Sequence, residues 1–153
     1  MIRRSVSSRL VTGEAGSALI EVAVVSPVLL MMVFGILQFG VVMNTNVTLN
    51  DAVRVSSRTL ALTRGTPDPC ATAVTKLKNV AQGFTTASLN ITVTVNGTAY
   101  GPSNSPSCSG QGTTMVTGAD AAVEATYPCT AVIYGVDYMP SCRLRAKTVV
   151  RVE

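Results

Sequence analysis

Between Val22 and Asn50 the chain carries no charged residue, and Val22 to Met43 is apolar apart from Ser26, Pro27 and Gln38. Those 22 residues, at about 1.5 Å of helical rise each, reach across the ~30 Å hydrocarbon layer of a bilayer. Thirteen of them are Val, Leu, Ile or Phe, and each such side chain near a helix centre favours insertion by roughly 0.3 to 0.6 kcal/mol. A cleaved secretory signal would show a shorter apolar run ending in a small-x-small site; here the run is longer and leads into Asn44, Thr45, Asn46 and Val47. A buried helix of a soluble protein would need apolar cover on every side, and a chain of 153 residues has too little interior to provide it. Arg3, Arg4 and Arg9 precede the segment, whereas the first charges after it are Asp51 and Arg54. The positive-inside rule therefore predicts a cytoplasmic N-terminus and an outward-facing C-terminal region.

The net charge of +4 comes from 12 basic and 8 acidic residues. Only 13% of the chain is charged and the basic residues are scattered, which argues against nucleic acid as a partner. Length allows one domain besides the anchor.

The leader joins the apolar run through Gly16-Ser17-Ala18-Leu19-Ile20-Glu21. A carboxylate at the head of a membrane helix is costly and calls for a reason, which makes Glu21 a functional candidate. This stretch resembles a type IV prepilin cleavage site, where a membrane aspartyl peptidase cuts after the glycine and the mature chain carries Glu at its fifth position. The resemblance implies cleavage between Gly16 and Ser17, with Glu21 registering subunits by pairing with the new amine of a neighbour. Without it, Glu21 would simply mark the interfacial end of the helix.

Gly16, Glu21, Ala23 and Pro27, followed by the long aliphatic run, resemble the TadE-like pseudopilins of the tight-adherence (Tad, or Flp) pilus system. Asn50 to Arg58 is similar to the amphipathic helix that continues the membrane helix in that family, and Ala121 to Glu153 to its C-terminal strand region. The resemblance is weak between Gly65 and Asp120. Val22 stands where the family often has an aromatic residue, and the four cysteines are not a general feature of the family.

After Met43 the pattern turns amphipathic, with Val47, Leu49 or Asn50, Val53, Leu60 and Leu62 set against Asp51, Arg54 and Arg58. Gly65-Thr66-Pro67-Asp68-Pro69 should end this helix, and a second helix is predicted over Ala71 to Gln82. Leu89, Ile91, Val93 and Val95 alternate with polar residues ahead of an Asn96-Gly97 turn. Pro102 to Gly112 reads as an exposed loop. Strands are predicted around Val123 to Tyr127 and from Arg143 to Val152, the latter with a solvated basic face.

Cys70, Cys108, Cys129 and Cys142 all lie in the outward region, as expected in an oxidising compartment. Of the three possible pairings, Cys70–Cys108 with Cys129–Cys142 closes the smaller loops and is favoured. The chain has no His and no Cys-x-x-Cys, so neither a zinc site nor a His-based catalytic set is predicted. No cofactor is implied.

The expected fold is α+β. A leader (1–16) precedes a helix (17–64, membrane part about 22–43), and a small disulfide-bonded antiparallel domain (65–153) follows. The expected function is a minor pilin or pseudopilin, not an enzyme, in the bacterial inner membrane. Its partners would be the membrane, the prepilin peptidase and other pilin subunits with their assembly machinery. An uncleaved single-pass protein with an outer binding domain, and a type II secretion pseudopilin, remain compatible with the same residues.

Overall fold

The computed structural model describes residues 14–129, 132–133, 135–137 and 139–153. The leader expected over residues 1–16 lies outside the described residues up to position 13. The chain divides into two compact units, one ending at Gly40 and the other Val41–Glu153.

Helix α1 runs Glu14–Leu62. In the first unit none of the large apolar side chains from Leu19 to Phe39 is buried, and Met31 is 75% exposed. Pro27 lies inside the helix without ending it, although it removes one backbone donor and its ring crowds the preceding turn. This is the one described helix long and apolar enough to cross a membrane.

In the second unit, α1 becomes one layer of a soluble core. Leu49, Ala52, Val53, Ser56, Ser57, Leu60 and Ala61 are buried, recurring every three or four residues as one helix face requires. Asp51, Arg54 and Arg58 face solvent. Val47 and Leu62, expected on the inner face, are exposed at 60% and 69%; two small serines hold the buried stripe in place of larger apolar residues. Ser56 explains the choice, because its hydroxyl donates to the Ala73 carbonyl at 2.8 Å, a close helix approach that a bulky side chain would prevent.

Helix α2, Pro69–Val80, supplies Cys70, Ala73, Val74 and Leu77 to the core. It begins two residues before the predicted Ala71, since Asp68-Pro69 is a start signal as well as a break. Asp68 is the N-cap, its carboxylate accepting from the Ala71 amide at 2.9 Å, and Pro69 fills the first helical position, where a missing N–H costs nothing.

The sheet contains β1 (Asn90–Val95), β2 (Thr98–Ser103), β3 (Asp120–Pro128) and β6 (Arg143–Arg151), antiparallel in the order β2-β1-β3-β6. The strictly alternating residues Ile91, Val93 and Val95 of β1, and Ala121, Val123 and Ala125 of β3, form its buried face, continuous with the two helices in one core. Asn96 (φ 51°) and Gly97 (φ 78°) turn β1 into β2, the left-handed pair that a two-residue hairpin demands. The basic residues of β6 face solvent, where Arg145 meets Glu124 at 2.8 Å and Arg151 approaches Asp120 at 3.8 Å.

Two further features differ from expectation. Pro102 to Gly112 is an exposed loop only in part: Ser105, Ser107, Ser109 and Gly110 are exposed, but Pro102 and Ser103 belong to β2, and Pro106, Cys108 and Gly112 are buried. The Cys70–Cys108 disulfide (Cα–Cα 5.5 Å) draws the segment onto α2. The Gly65 amide also donates to Gly112 and the Gly110 amide to Pro67, both at 2.8 Å. Gly112 packs so closely on the Thr66 backbone that a Cβ there would collide with it. The second difference is an extra hairpin, β4 (Val132–Ile133) with β5 (Val136–Asp137), turning at Gly135 inside the loop closed by Cys129–Cys142 (Cα–Cα 5.1 Å).

The disulfides close segments with separations of 38 and 13 residues, which the chain-entropy relation converts to about 4 and about 3 kcal/mol. Cys70 and Cys108 are also buried in the core. Thermal unfolding of the full chain in detergent should show a larger drop in Tm for the Cys70→Ser/Cys108→Ser pair than for Cys129→Ser/Cys142→Ser. Equal drops would mean that loop length and burial do not set the order.

Candidate functional site at the head of the membrane-length helix

Gly16, Ser17 and Glu21 all lie on α1 and all are exposed. Glu21 follows Ser17 by four residues, about one turn, so the two share a helix face. Gly16 lies within the described helix, and a glycine weakens a helix locally by about 0.5 to 1 kcal/mol relative to alanine. No described basic side chain forms an ion pair with Glu21.

Beyond Glu21 the helix surface offers lipid or another helix only aliphatic groups, Phe34 and Phe39, with small polar breaks at Ser26 and Gln38. The chemistry changes after Met43. The Thr45 hydroxyl donates to the Val41 carbonyl at 2.8 Å, Thr48 to Asn44 at 2.9 Å, and the Asn50 amide to Asn46 at 2.8 Å. These side chains satisfy themselves on their own helix, which suits a segment leaving hydrocarbon for water.

A cluster that sequence reasoning missed surrounds Asp68. Its carboxylate lies with Cys70 and Cys108 in a grouping compact enough for a metal, but the two sulfurs are bonded to each other and offer no thiolate. The carboxylate accepts from the Ser107 hydroxyl, from the amides of Ala71 (2.9 Å) and Cys108 (3.1 Å), and from Ser109 at 3.4 Å. It is a structural clamp joining the start of α2 to the disulfide loop. The signal for it is Asp68-Pro69, which is a helix start as well as a helix stop.

Fold and site together define a class: a single membrane-length helix with an acidic residue at its head, running into a small disulfide-bonded α+β domain. Residues 16–58 match the family described as TadE-like protein, under a third of the chain. The match begins at Gly16, includes Glu21 and the whole apolar run, and takes in the amphipathic continuation to Arg58; Ala121 to Glu153 lies outside it. No curated protein and no solved structure matches the chain.

Partial burial raises the Asp68 pKa, but the donors from Ser107, Ala71, Cys108 and Ser109 outweigh it, so the carboxyl sits below its ordinary value. A depressed acid contributes stability above its unfolded pKa and loses it as pH falls through the folded one. Asp68→Ala should cost about 1 kcal/mol at neutral pH through the lost cap, seen as a lower Tm. The deficit relative to the parent should shrink as pH is lowered below the ordinary carboxylate range. A deficit that stays constant with pH would contradict this role.

Proposed function

We propose that this chain is a minor pilin or pseudopilin of a tight-adherence pilus system, matured by cleavage between Gly16 and Ser17 and held in the inner membrane by Val22 to Met43 until assembly. The observation that carries the reading is the family match: it starts at the glycine of the junction and runs through Glu21 along a helix whose apolar surface no part of the described chain covers. In this account a prepilin peptidase hydrolyses the Gly16–Ser17 bond and leaves a cationic amine on Ser17. That amine pairs with Glu21 of a neighbouring subunit. Each charge is expensive alone in a low-dielectric setting and tolerable when paired, so the pair fixes the axial register of packed helices. The aliphatic surface between residues 22 and 43 then serves twice, against lipid in storage and against other subunits' helices in the assembly. The α+β domain stays outside the cytoplasm, where its disulfides form.

The reading predicts that Glu21→Ala, expressed from its own locus in the native host, leaves the chain in the membrane with both disulfides intact and reduces surface filaments sharply. Glu21→Asp should restore part of the loss. Filament yield equal to the parent's with Glu21→Ala would contradict registration and favour a simple anchored protein. Gly16→Leu should separately yield an unprocessed chain that keeps its leader.

A further inference from the structure

The four-stranded sheet ends in two edges of different character. Strand β2, at one edge, has six residues, contains Pro102 and breaks regular pairing opposite Ile91 to Val93 of β1. A short, bulged edge with a proline resists further strands. Strand β6, at the other edge, has nine residues without glycine or proline, and it pairs with β3 without a break from Arg143 to Arg151. One side of its backbone is engaged by β3, while alternate amides and carbonyls point the other way. Among the described residues no other backbone group bonds to β6 between Leu144 and Val150.

Both faces of β6 favour a further strand. On the core face, Ile91, Val93, Ala121, Val123 and Ala125 of β1 and β3 are wholly buried, but Leu144 and Val150 of β6 are only partly so. The core thins toward this edge and leaves apolar surface beside it. On the solvent face, Arg145 is held by Glu124 at 2.8 Å and Arg151 stands 3.8 Å from Asp120. Arg143 and Lys147 are exposed and form no ion pair among the described residues. Asp120 and Glu124 of β3 stand opposite Arg151 and Lys147 in the register, so two acids at this spacing already suit the inner side of β6. A second copy of β6 does not suit the outer side: antiparallel about Lys147, it would set Lys147 against Lys147 and Arg143 against Arg151, like charges that oppose pairing.

From this juxtaposition we propose that β6 is a docking edge for an extended segment of another protein, which adds a strand to the sheet and alternates apolar residues toward Leu144 and Val150 with Asp or Glu toward Lys147 and Arg151. Main-chain hydrogen bonds supply the attachment, and the alternation selects the partner. The basic row that attracts an acidic strand also repels a second copy of β6. The contact lies wholly within the Val41–Glu153 unit and requires neither cleavage after Gly16 nor pairing by Glu21.

Strand β3 carries the required pattern in Asp120-Ala-Ala-Val-Glu-Ala-Thr-Tyr127, so a capped peptide of that sequence is the probe. It would be titrated to about 1 mM into isotopically labelled full-length protein in detergent micelles, reading the amide signals and hydrogen exchange of residues 144–150. The expected result is a set of saturable shifts centred on β6, with slowed exchange at alternate amides. A peptide with Lys in place of both acids should bind about tenfold more weakly, and a Lys147→Glu/Arg151→Glu protein should reverse that preference. A peptide N-methylated on the amides that face β6 should not bind, because it cannot donate to the edge. Binding that survives N-methylation would reduce the contact to charge attraction and overturn the proposal, as would the absence of saturable shifts. Exchange at β6 that slows with rising concentration of the protein alone would also overturn it, by assigning the edge to a second copy.

Discussion

The structure depends on one uncompensated quantity, the apolar surface of α1 from Leu19 to Phe39. Nothing described in the protein covers it. A helix that is apolar on every side is stable only where its surroundings are equally apolar, in lipid or among other such helices. Backbone groups bonded along the helix make that surrounding acceptable, and the absence of charge between Val22 and Asn50 removes the main penalty. Glu21 is the exception, and its position at the edge of the run gives it a role only if something supplies a positive partner.

The second constraint is size. The α+β domain has a small core and shares it with the last turns of α1, from Leu49 to Ala61. One helix thus changes character along its length, and the change occurs across Asn44 to Thr48, where the Thr45 and Thr48 hydroxyls bond back to their own helix. The domain reinforces its modest core with two disulfides and a carboxylate clamp at Asp68, joining α2 to a loop that would otherwise have little reason to pack.

Much of this was legible because the signals were strong and local. The uninterrupted apolar run, the strict alternation from Leu89 to Val95 and the Asn96-Gly97 turn each specify one geometry with little competition. The failures came where tertiary contacts decide. Ser56 and Ser57 carry no apolar signal for burial, but a hydrogen bond to Ala73 seats the first in a close helix crossing. Pro102 to Gly112 has the composition of an exposed loop, yet its covalent tie to Cys70 and its contact with Thr66 draw it inward. The β4–β5 hairpin is too short for periodicity to reveal. Of the candidate site, the grouping of Gly16, Ser17 and Glu21 on one helix follows from spacing alone.

The most direct test is the N-terminal sequence and intact mass of the protein recovered from its native host's membranes. The account predicts a chain that begins at Ser17, with a mass lacking residues 1–16. A chain that still carries Arg3, Arg4 and Arg9 would contradict it and leave a single-pass membrane protein with no pilin-like maturation.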